Sequence, residues 1–125
     1  MVQKLNILLV SGAAEPREKL KQEIQKKGYS MREVHNLHDA FHMAKNVRPD
    51  VILVDDNFHK HSGLEMCEAF RGEIDTCYAN IILLSSSIDR SVEERARQVG
   101  VTDVVSRSID DPALVKRIEV FLGSI

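Results

Sequence analysis

The chain has little of what stabilises secreted or membrane-bound proteins. Its 125 residues include only two cysteines, Cys67 and Cys77, which cannot build a disulfide framework and are expected to be the reduced thiols of a cytoplasmic protein. No apolar run approaches the roughly 18–20 residues of a membrane span. The amino terminus, residues 1–5, is too short and polar to begin a signal peptide, so neither a membrane nor a secretory pathway is expected.

Aromatic residues and excess charge are also scarce. Aromatic side chains make up 5% of the chain, which leaves few rings to enclose a flavin. Charged residues make up 29% and the formal net charge is -2, so there is no general attraction to nucleic acid or to a membrane surface. The hydrophobic content of 43% is enough for one core, and residues 1–125 are therefore expected to form one domain.

Strand and helix patterns alternate along the sequence. Short apolar runs predict buried strands at 5–10, 51–55, 81–84 and 102–106, with a more polar strand, typical of a sheet edge, at 30–34. Apolar residues at helical spacing predict helices at 15–27, 37–47, 63–70 and 91–100, and a last one that starts near 111. Ser91 has capping-box spacing, and Asp111 before Pro112 is typical of a helix start.

This alternation predicts an α/β fold, a flavodoxin-like (βα)5 doubly wound parallel sheet with strand order 2-1-3-4-5. The central strands should be buried on both faces of the sheet. The residues expected in that core are Leu8, Ile52, Leu53, Ile82 and Leu83.

Polar residues follow four of the predicted strands. Asp55 ends the apolar run 51–54 and opens a polar stretch, 56–63. Because ligands of open α/β folds bind at the carboxyl ends of the strands, this edge is the expected site. The residues that the topology brings to it are Ser11, Gly12, Asp55, Ser85 and Arg107.

At these positions the sequence resembles the receiver domain of bacterial two-component response regulators. The matching segments are 49–55 followed by Gly63-Leu64-Glu65, the strand that ends at Ser85, and the stretch from Gly100 to Arg107. The resemblance implies that Asp55 is the phosphoacceptor, that Ser85 stands where a hydroxyl binds the phosphoryl group, and that Arg107 stands where a lysine contacts it. It also implies a histidine kinase as the phosphodonor and no enzymatic activity.

The metal site of that family is incomplete in this sequence. The resemblance implies an acidic pair after the first strand, but Ser11 and Gly12 stand there, and only Asp55 and the carbonyl of Asn57 are left as ligands. Mg²⁺ is usually held by one or two carboxylates, so no cofactor beyond weakly bound Mg²⁺ is expected. Glu15 and Asp56 are candidate replacements, although Glu15 suits a helix start and strand alternation points Asp56 away from Asp55.

Two further differences concern how the family responds to phosphorylation. Ser108 follows Arg107 where the family has a proline, so a trans peptide bond is expected there. Val104 replaces the aromatic residue whose position changes with phosphorylation in the family. Arg107 itself is predicted to pair with Asp55, because the sequence places no other fixed positive charge at this edge.

Three functional interpretations remain open. The preferred one is a receiver-like module that binds partners without Mg²⁺-dependent phosphorylation. The second is a working receiver that a histidine kinase phosphorylates at Asp55, and the third is a small flavodoxin-like enzyme or nucleotide binder. His38 and His42 have the i, i+4 spacing of a metal site, but with no third ligand a solvated helix face is the better interpretation.

The expected interaction face is the one that receiver domains build from the fourth helix, the fifth strand and the fifth helix. It meets another protein or a second copy, which makes a homodimer one expectation. Its residues in this sequence are Arg90, Glu93, Arg97, Val104, Ser106 and Lys116. Alternating charges of this kind are also typical of a helix that only faces solvent.

Overall fold

A computed structural model describes residues 5–12, 17–56 and 62–121. Within these ranges the strands are β1 (Asn6–Val10), β2 (Ser30–Val34), β3 (Val51–Asp55), β4 (Asn80–Ser85) and β5 (Asp103–Ser106). The helices are α1 (Glu18–Lys26), α2 (Leu37–Val47), α3 (Gly63–Arg71), α4 (Arg90–Val99) and α5 (Asp111–Phe121). The predicted start of the first helix at residue 15 lies outside the described residues.

The five strands form one parallel sheet in the order β2-β1-β3-β4-β5, which confirms the predicted fold. β3 lies in the middle, where its five residues are all buried. β2 lies at one edge, as its polar composition indicates, and contains both exposed and buried residues. A parallel sheet covered on both faces explains why the central strands are apolar without alternation.

Helices cover both faces of the sheet and create two apolar layers. Residues of α2, α3 and α4 pack on one face, around Ile52, Phe70 and Leu83. Residues of α1 and α5 pack on the other face, around Leu53 and Ile82. The five residues predicted for the core are at most 2% exposed, so that prediction is confirmed: Leu8, Ile52, Leu53, Ile82 and Leu83.

Two predicted helix caps were wrong by one or two residues. α4 is capped by Asp89, whose carboxylate accepts a hydrogen bond from the Val92 amide, instead of by Ser91. α5 is capped by Asp110, which accepts from the Ala113 amide, instead of by Asp111. In both cases a carboxylate one or two positions earlier reaches the free amides first and favours the helix dipole. The carboxylate of Asp111 is thereby left for another contact.

Candidate functional site

Asp55 is the last residue of β3, and the side chain is 6% exposed at the carboxyl edge of the sheet. Its strand is held by β1 on one side and β4 on the other, where Asp55 lies opposite Leu84. A buried carboxylate needs a compensating charge or hydrogen bonds, because water no longer solvates it. The groups around Asp55 therefore define what this site can do.

Arg107 supplies the first compensating charge. It follows β5, where its amide donates to the Ser85 carbonyl at 3.0 Å. Its Nε lies 2.7 Å from Asp55 Oδ1, so the predicted pairing of Arg107 with Asp55 is confirmed. Oδ1 accepts no well-directed hydrogen bond within the described part of the chain, so the contact is mainly electrostatic. The peptide bond from Arg107 to Ser108 is trans, as expected.

Arg17 supplies a second charge that the sequence reasoning missed. Its Nη1 lies 3.8 Å from Asp55 Oδ2, and its Nη2 lies 3.4 Å from Asp111 Oδ1 in α5. The expectation that Asp55 faces no fixed positive charge besides Arg107 was therefore wrong. The error arose because Arg17 precedes α1, and only the packing of α1 beside the sheet edge brings it to Asp55.

A signal for Arg17 was present in the sequence. A cation at the start of a helix opposes the helix dipole, which favours acidic residues there. Arg17 occupies the N-cap position of α1 and makes no side-chain capping hydrogen bond. Its amide instead donates to Glu33 Oε1 at 3.3 Å. Such a conflict between local preference and residue type is typical of functional positions.

Burial and the two arginines act in opposite directions on Asp55. Burial raises the pKa of Asp55, Arg107 and then Arg17 lower it, and the net result is a pKa above the ordinary value for an aspartate. The neighbouring Asp56 adds a smaller raising effect. The two guanidinium groups thus offset part, but not all, of the effect of burial on this carboxylate.

Replacing either arginine is expected to raise the pKa of Asp55 further. Arg107→Gln should have the larger effect, because Arg107 is 2.7 Å from the carboxylate and Arg17 is 3.8 Å away. The ¹³Cγ chemical shift of Asp55, followed by NMR across pH, measures this directly. Lys19→Gln, an exposed change in the first turn of the helix that Arg17 precedes, is the matched control and should leave the pKa of Asp55 unchanged.

The same shift makes stability depend on pH. Because the pKa of Asp55 is raised in the folded protein, the folded state binds this proton more tightly than the unfolded chain does. The resulting stabilisation is complete below the ordinary aspartate pKa and is lost as pH rises through the folded pKa. Arg107→Gln should extend this loss to higher pH in urea titrations, and an unchanged pH profile would argue against the pairing.

The two residues after β1 are Ser11 and Gly12, and neither carries a carboxylate. Ser11 is 1% exposed. The Ser11 carbonyl lies 2.9 Å from His35 Nδ1, which makes this nitrogen the donor. No group of three or more His, Cys, Asp or Glu side chains that could hold a metal occurs among residues 5–12, 17–56 and 62–121. Asn57 and Glu15, two of the predicted metal-binding candidates, lie outside those ranges.

Asp56 is used for a structural contact. Its Oδ1 accepts a hydrogen bond from the Gly63 amide at 2.8 Å, which fixes the start of α3. A Cβ at Gly63 would lie 2.7 Å from Leu83 Cδ1 and 3.0 Å from Asp56 Oδ1, so a larger residue there would force these side chains to shift. The proximity of α3 to the sheet thus favours a glycine at position 63, and Asp56 contributes to the start of the helix.

Ser85 lies at the predicted edge, at the end of β4, and is 3% exposed. Its hydroxyl donates to the Ser87 carbonyl at 2.8 Å and accepts from the Ser87 amide at 3.3 Å. The hydroxyl is therefore engaged in its own turn, and binding a phosphoryl group would require it to leave that turn.

A shallow groove of about 420 Å³ lies along α4, β5 and α5. Three of the six predicted face residues line it, Glu93, Arg97 and Val104, together with six that were not predicted: Ile88, Ala96, Val101, Thr102, Asp103 and Arg117. The other predicted residues lie outside the lining. Arg90 pairs with Glu94 at 3.4 Å, Ser106 Oγ contacts Ser108 Oγ at 2.7 Å, and Lys116 is exposed.

Half-buried valines and charged side chains share the lining of this groove. Val101 and Val104 are both half-buried, and Val104 stands at the position where the family's aromatic residue is expected. Arg117 Nε lies 2.9 Å from Asp103 Oδ2. Arg97 is exposed, and no ion pair of its side chain is among those of the described residues. The groove therefore combines half-buried valines with an exposed cation, Arg97.

The strand order and the paired aspartate at the end of β3, with a basic residue after β5, define a receiver-type signalling domain. The sequence profile of the response regulator receiver domain matches residues 7–119, and the chain belongs to this family. It is a receiver domain of two-component signal transduction, a class of signalling modules that interact with kinases and other proteins. No described helix is long and apolar enough to cross a membrane.

Individual relatives agree with this family. The chain is 29% identical over 100 residues to the polar-differentiation response regulator DivK of Brucella anthropi, covering 80% of this chain and 81% of the relative. The chemotaxis protein CheY4 of Vibrio cholerae has the same fold, with a TM-score of 0.85, 21% identity and coverage of 94% and 98%. The receiver domain of a histidine kinase from Syntrophus aciditrophicus superposes with a TM-score of 0.79 at 25% identity, covering 97% and 96%.

Proposed function

We propose that residues 1–125 act as an atypical receiver, a protein-interaction module that does not rely on Mg²⁺-dependent phosphorylation and is not an enzyme. The observation that carries this proposal is the pairing of Asp55 with two guanidinium groups at an edge without the acidic pair. Asp55 stands at the phosphoacceptor position of the family, with Ser85 and Arg107 at the phosphoryl-contact positions. Ser11 and Gly12 stand at the degenerate metal positions.

The chemistry of phosphoryl transfer supports this interpretation. A carboxylate attacks phosphorus slowly unless charge on the phosphoryl oxygens is neutralised, and a metal ion usually supplies most of that neutralisation. In this site each carboxylate oxygen of Asp55 already faces an arginine. To attack the phosphorus of a phosphodonor, Asp55 would have to give up at least one of these contacts without a bound metal to replace the charge.

The ion pairs around Asp55 favour a single arrangement of the site, whether or not a phosphodonor is present. Arg17 contacts both Asp55 of β3 and Asp111 of α5, so the charge of Asp55 is balanced by groups of the fold itself. In a side chain that is 6% exposed, such pairs are screened little by salt. We infer that the module presents its interaction face without a phosphorylation step.

We assign partner binding to the groove along α4, β5 and α5, where the exposed Arg97 and the half-buried Val101 and Val104 line one surface. A partner segment with apolar and acidic side chains would fit it, and a second copy of the chain is the alternative occupant.

The second candidate function, a working receiver phosphorylated by a histidine kinase, is favoured by the retention of Asp55, Ser85 and a basic residue at 107. Family membership gives no support to a small enzyme or nucleotide binder.

The experiment compares variants against a partner first identified by pull-down. Arg97→Glu is expected to weaken binding about tenfold, on the order of 1.4 kcal/mol, because it reverses the charge beside the groove. Asp55→Asn should leave the affinity nearly unchanged. Arg95→Glu is the matched control, since Arg95 is exposed on the same helix and does not line the groove.

The working-receiver alternative makes the opposite prediction. If Asp55→Asn abolishes binding, or if acetyl phosphate strengthens it severalfold, Asp55 is a functioning phosphoacceptor and the proposal is wrong. Calorimetric titration of the purified pair, with and without acetyl phosphate and Mg²⁺, measures both outcomes.

A further inference from the structure

The loop between α3 and β4 displays two large apolar side chains. Ile74 is 82% exposed and Tyr78 is 93% exposed, the two highest values among the large hydrophobic residues that the structure describes. The loop precedes β4 and therefore lies at the amino-terminal edge of the parallel sheet, opposite Asp55. The proposed receiver chemistry and the groove along α4, β5 and α5 make no use of it.

The backbone of this loop is held from inside. Thr76 is 1% exposed, and its hydroxyl donates to the Phe70 carbonyl at 2.5 Å. Arg71 Nη1 donates to the carbonyls of Cys77 at 2.8 Å and Ala79 at 2.6 Å. These bonds fix the loop before any partner arrives, which lowers the entropy that binding would cost.

The two exposed side chains lie four positions apart in this loop. The Cys77 amide donates to the Glu73 carbonyl at 2.8 Å, a bond from residue i+4 to residue i that closes one helical turn. Residues four apart lie on the same side of a helical turn. We call the exposed pair Ile74 and Tyr78 the apolar knob.

The use of tyrosine at this position is informative. The other tyrosine of the chain, Tyr29, donates its hydroxyl hydrogen bond to Glu119 Oε2 at 2.8 Å. Tyr78 presents nearly its whole ring to solvent. Rigid aromatic side chains with an adjacent aliphatic one are typical anchors of protein interfaces, because each buries much area at a small cost in conformational entropy.

Two acidic residues flank Ile74 in the sequence. Glu73 is exposed and Asp75 is half-buried, and both lie in the same turn as Ile74. Arg71, the basic residue that precedes this turn, is half-buried and directs its guanidinium to backbone carbonyls. Acidic side chains beside an apolar knob complement a partner surface with an apolar pocket and basic residues at its edge.

We propose that the turn Glu73–Tyr78 is a second protein-docking site, whose occupant is a partner segment with apolar side chains flanked by Lys or Arg. Ile74 and Tyr78 insert between the apolar side chains of that segment, and Glu73 and Asp75 pair with its basic residues. Because this site lies at the opposite edge from Asp55, its occupation is independent of the Asp55 site.

The test uses a phage-displayed library of 12-residue peptides selected against the intact protein. The expected peptides carry a Leu, Met or aromatic residue within two or three positions of Lys or Arg. Their affinity should fall at least tenfold for Ile74→Ser and for Tyr78→Ser, and severalfold for Glu73→Gln combined with Asp75→Asn. Thermal unfolding of each variant confirms that the exposed changes leave the fold intact.

Two controls make the result decisive. Ile88→Ser changes a 43% exposed apolar residue of the groove along α4, β5 and α5, and Asp55→Asn changes the opposite edge of the sheet. Both variants should still bind the selected peptides. The proposal is overturned if no peptide is enriched, if the enriched peptides bind Tyr78→Ser as tightly as the unaltered protein, or if their flanking residues are acidic.

Discussion

Replacing Leu53 by alanine is expected to lower the free energy of unfolding by about 2–5 kcal/mol. Leu53 is fully buried in β3, the middle strand, where it lies between Leu9 of β1 and Ile82 of β4. Its side chain packs in the layer beneath α1 and α5, so truncation removes buried methyl groups and leaves a cavity that neighbours on three sides cannot fill. Urea unfolding followed by circular dichroism measures the loss.

A matched substitution on the surface shows whether the expected loss of stability at Leu53 comes from its burial. Val120 in α5 is 63% exposed, and Val120→Ala should alter stability by no more than about 0.5 kcal/mol. A loss below about 1 kcal/mol for Leu53→Ala would mean that the strand is less tightly packed than its burial indicates. Since native domains are stable by about 5–15 kcal/mol, the expected loss is a large part of the total.

The second large effect is a gain of metal binding. The unaltered protein is expected to show no saturable Mg²⁺ binding at millimolar concentration, whereas Ser11→Asp combined with Gly12→Asp should restore part of that affinity. The two new carboxylates would stand at the end of β1 beside Asp55 and offer Mg²⁺ the hard oxygens that it prefers. We expect affinity to rise at least about tenfold, equivalent to 1.4 kcal/mol, in calorimetric titrations.

The control for this gain uses asparagine, which is similar in size to aspartate but carries no charge. Ser11→Asn combined with Gly12→Asn should bind no Mg²⁺, because neutral amides do not supply the two negative charges. Tight binding by the unaltered protein would instead show that Glu15 or Asp56 completes a metal site, and the proposed function would then fail at its first premise. The peptide-docking result at Ile74 and Tyr78 would be unaffected by that outcome.

Much of the fold could be predicted because its signals are local. The apolar run 51–54 specifies a strand that is buried on both faces of the sheet. Pro49 marks the end of the helix before this strand, and Gly63 marks the start of the helix after it. β2, α2 and β3 were predicted to the residue for this reason. Caps were less predictable, because Asp89 competes with Ser91, and Asp110 with Asp111, for the same free amides.

The candidate site was predictable only in part. Asp55 and Arg107 each follow a strand of the same parallel sheet, and topology alone brings strand ends to one edge. Arg17 was missed because no strand end marks it. Ser85 was predicted at the correct edge, but the turn that engages its hydroxyl depends on the backbone of residues 85–87.

The sequence by itself determined the alternation of strands and helices, the strand that carries Asp55 and the absence of a carboxylate at positions 11 and 12, since each depends on residues within a few positions. Only the tertiary structure decided that Arg17 faces Asp55 and Asp111, which lie 38 and 94 residues away along the chain. It also decided that Asp56 holds the start of α3. Such contacts require α1, β3 and α5 to be packed together, and the periodicity of a single element carries no information about which charges that packing brings within 4 Å.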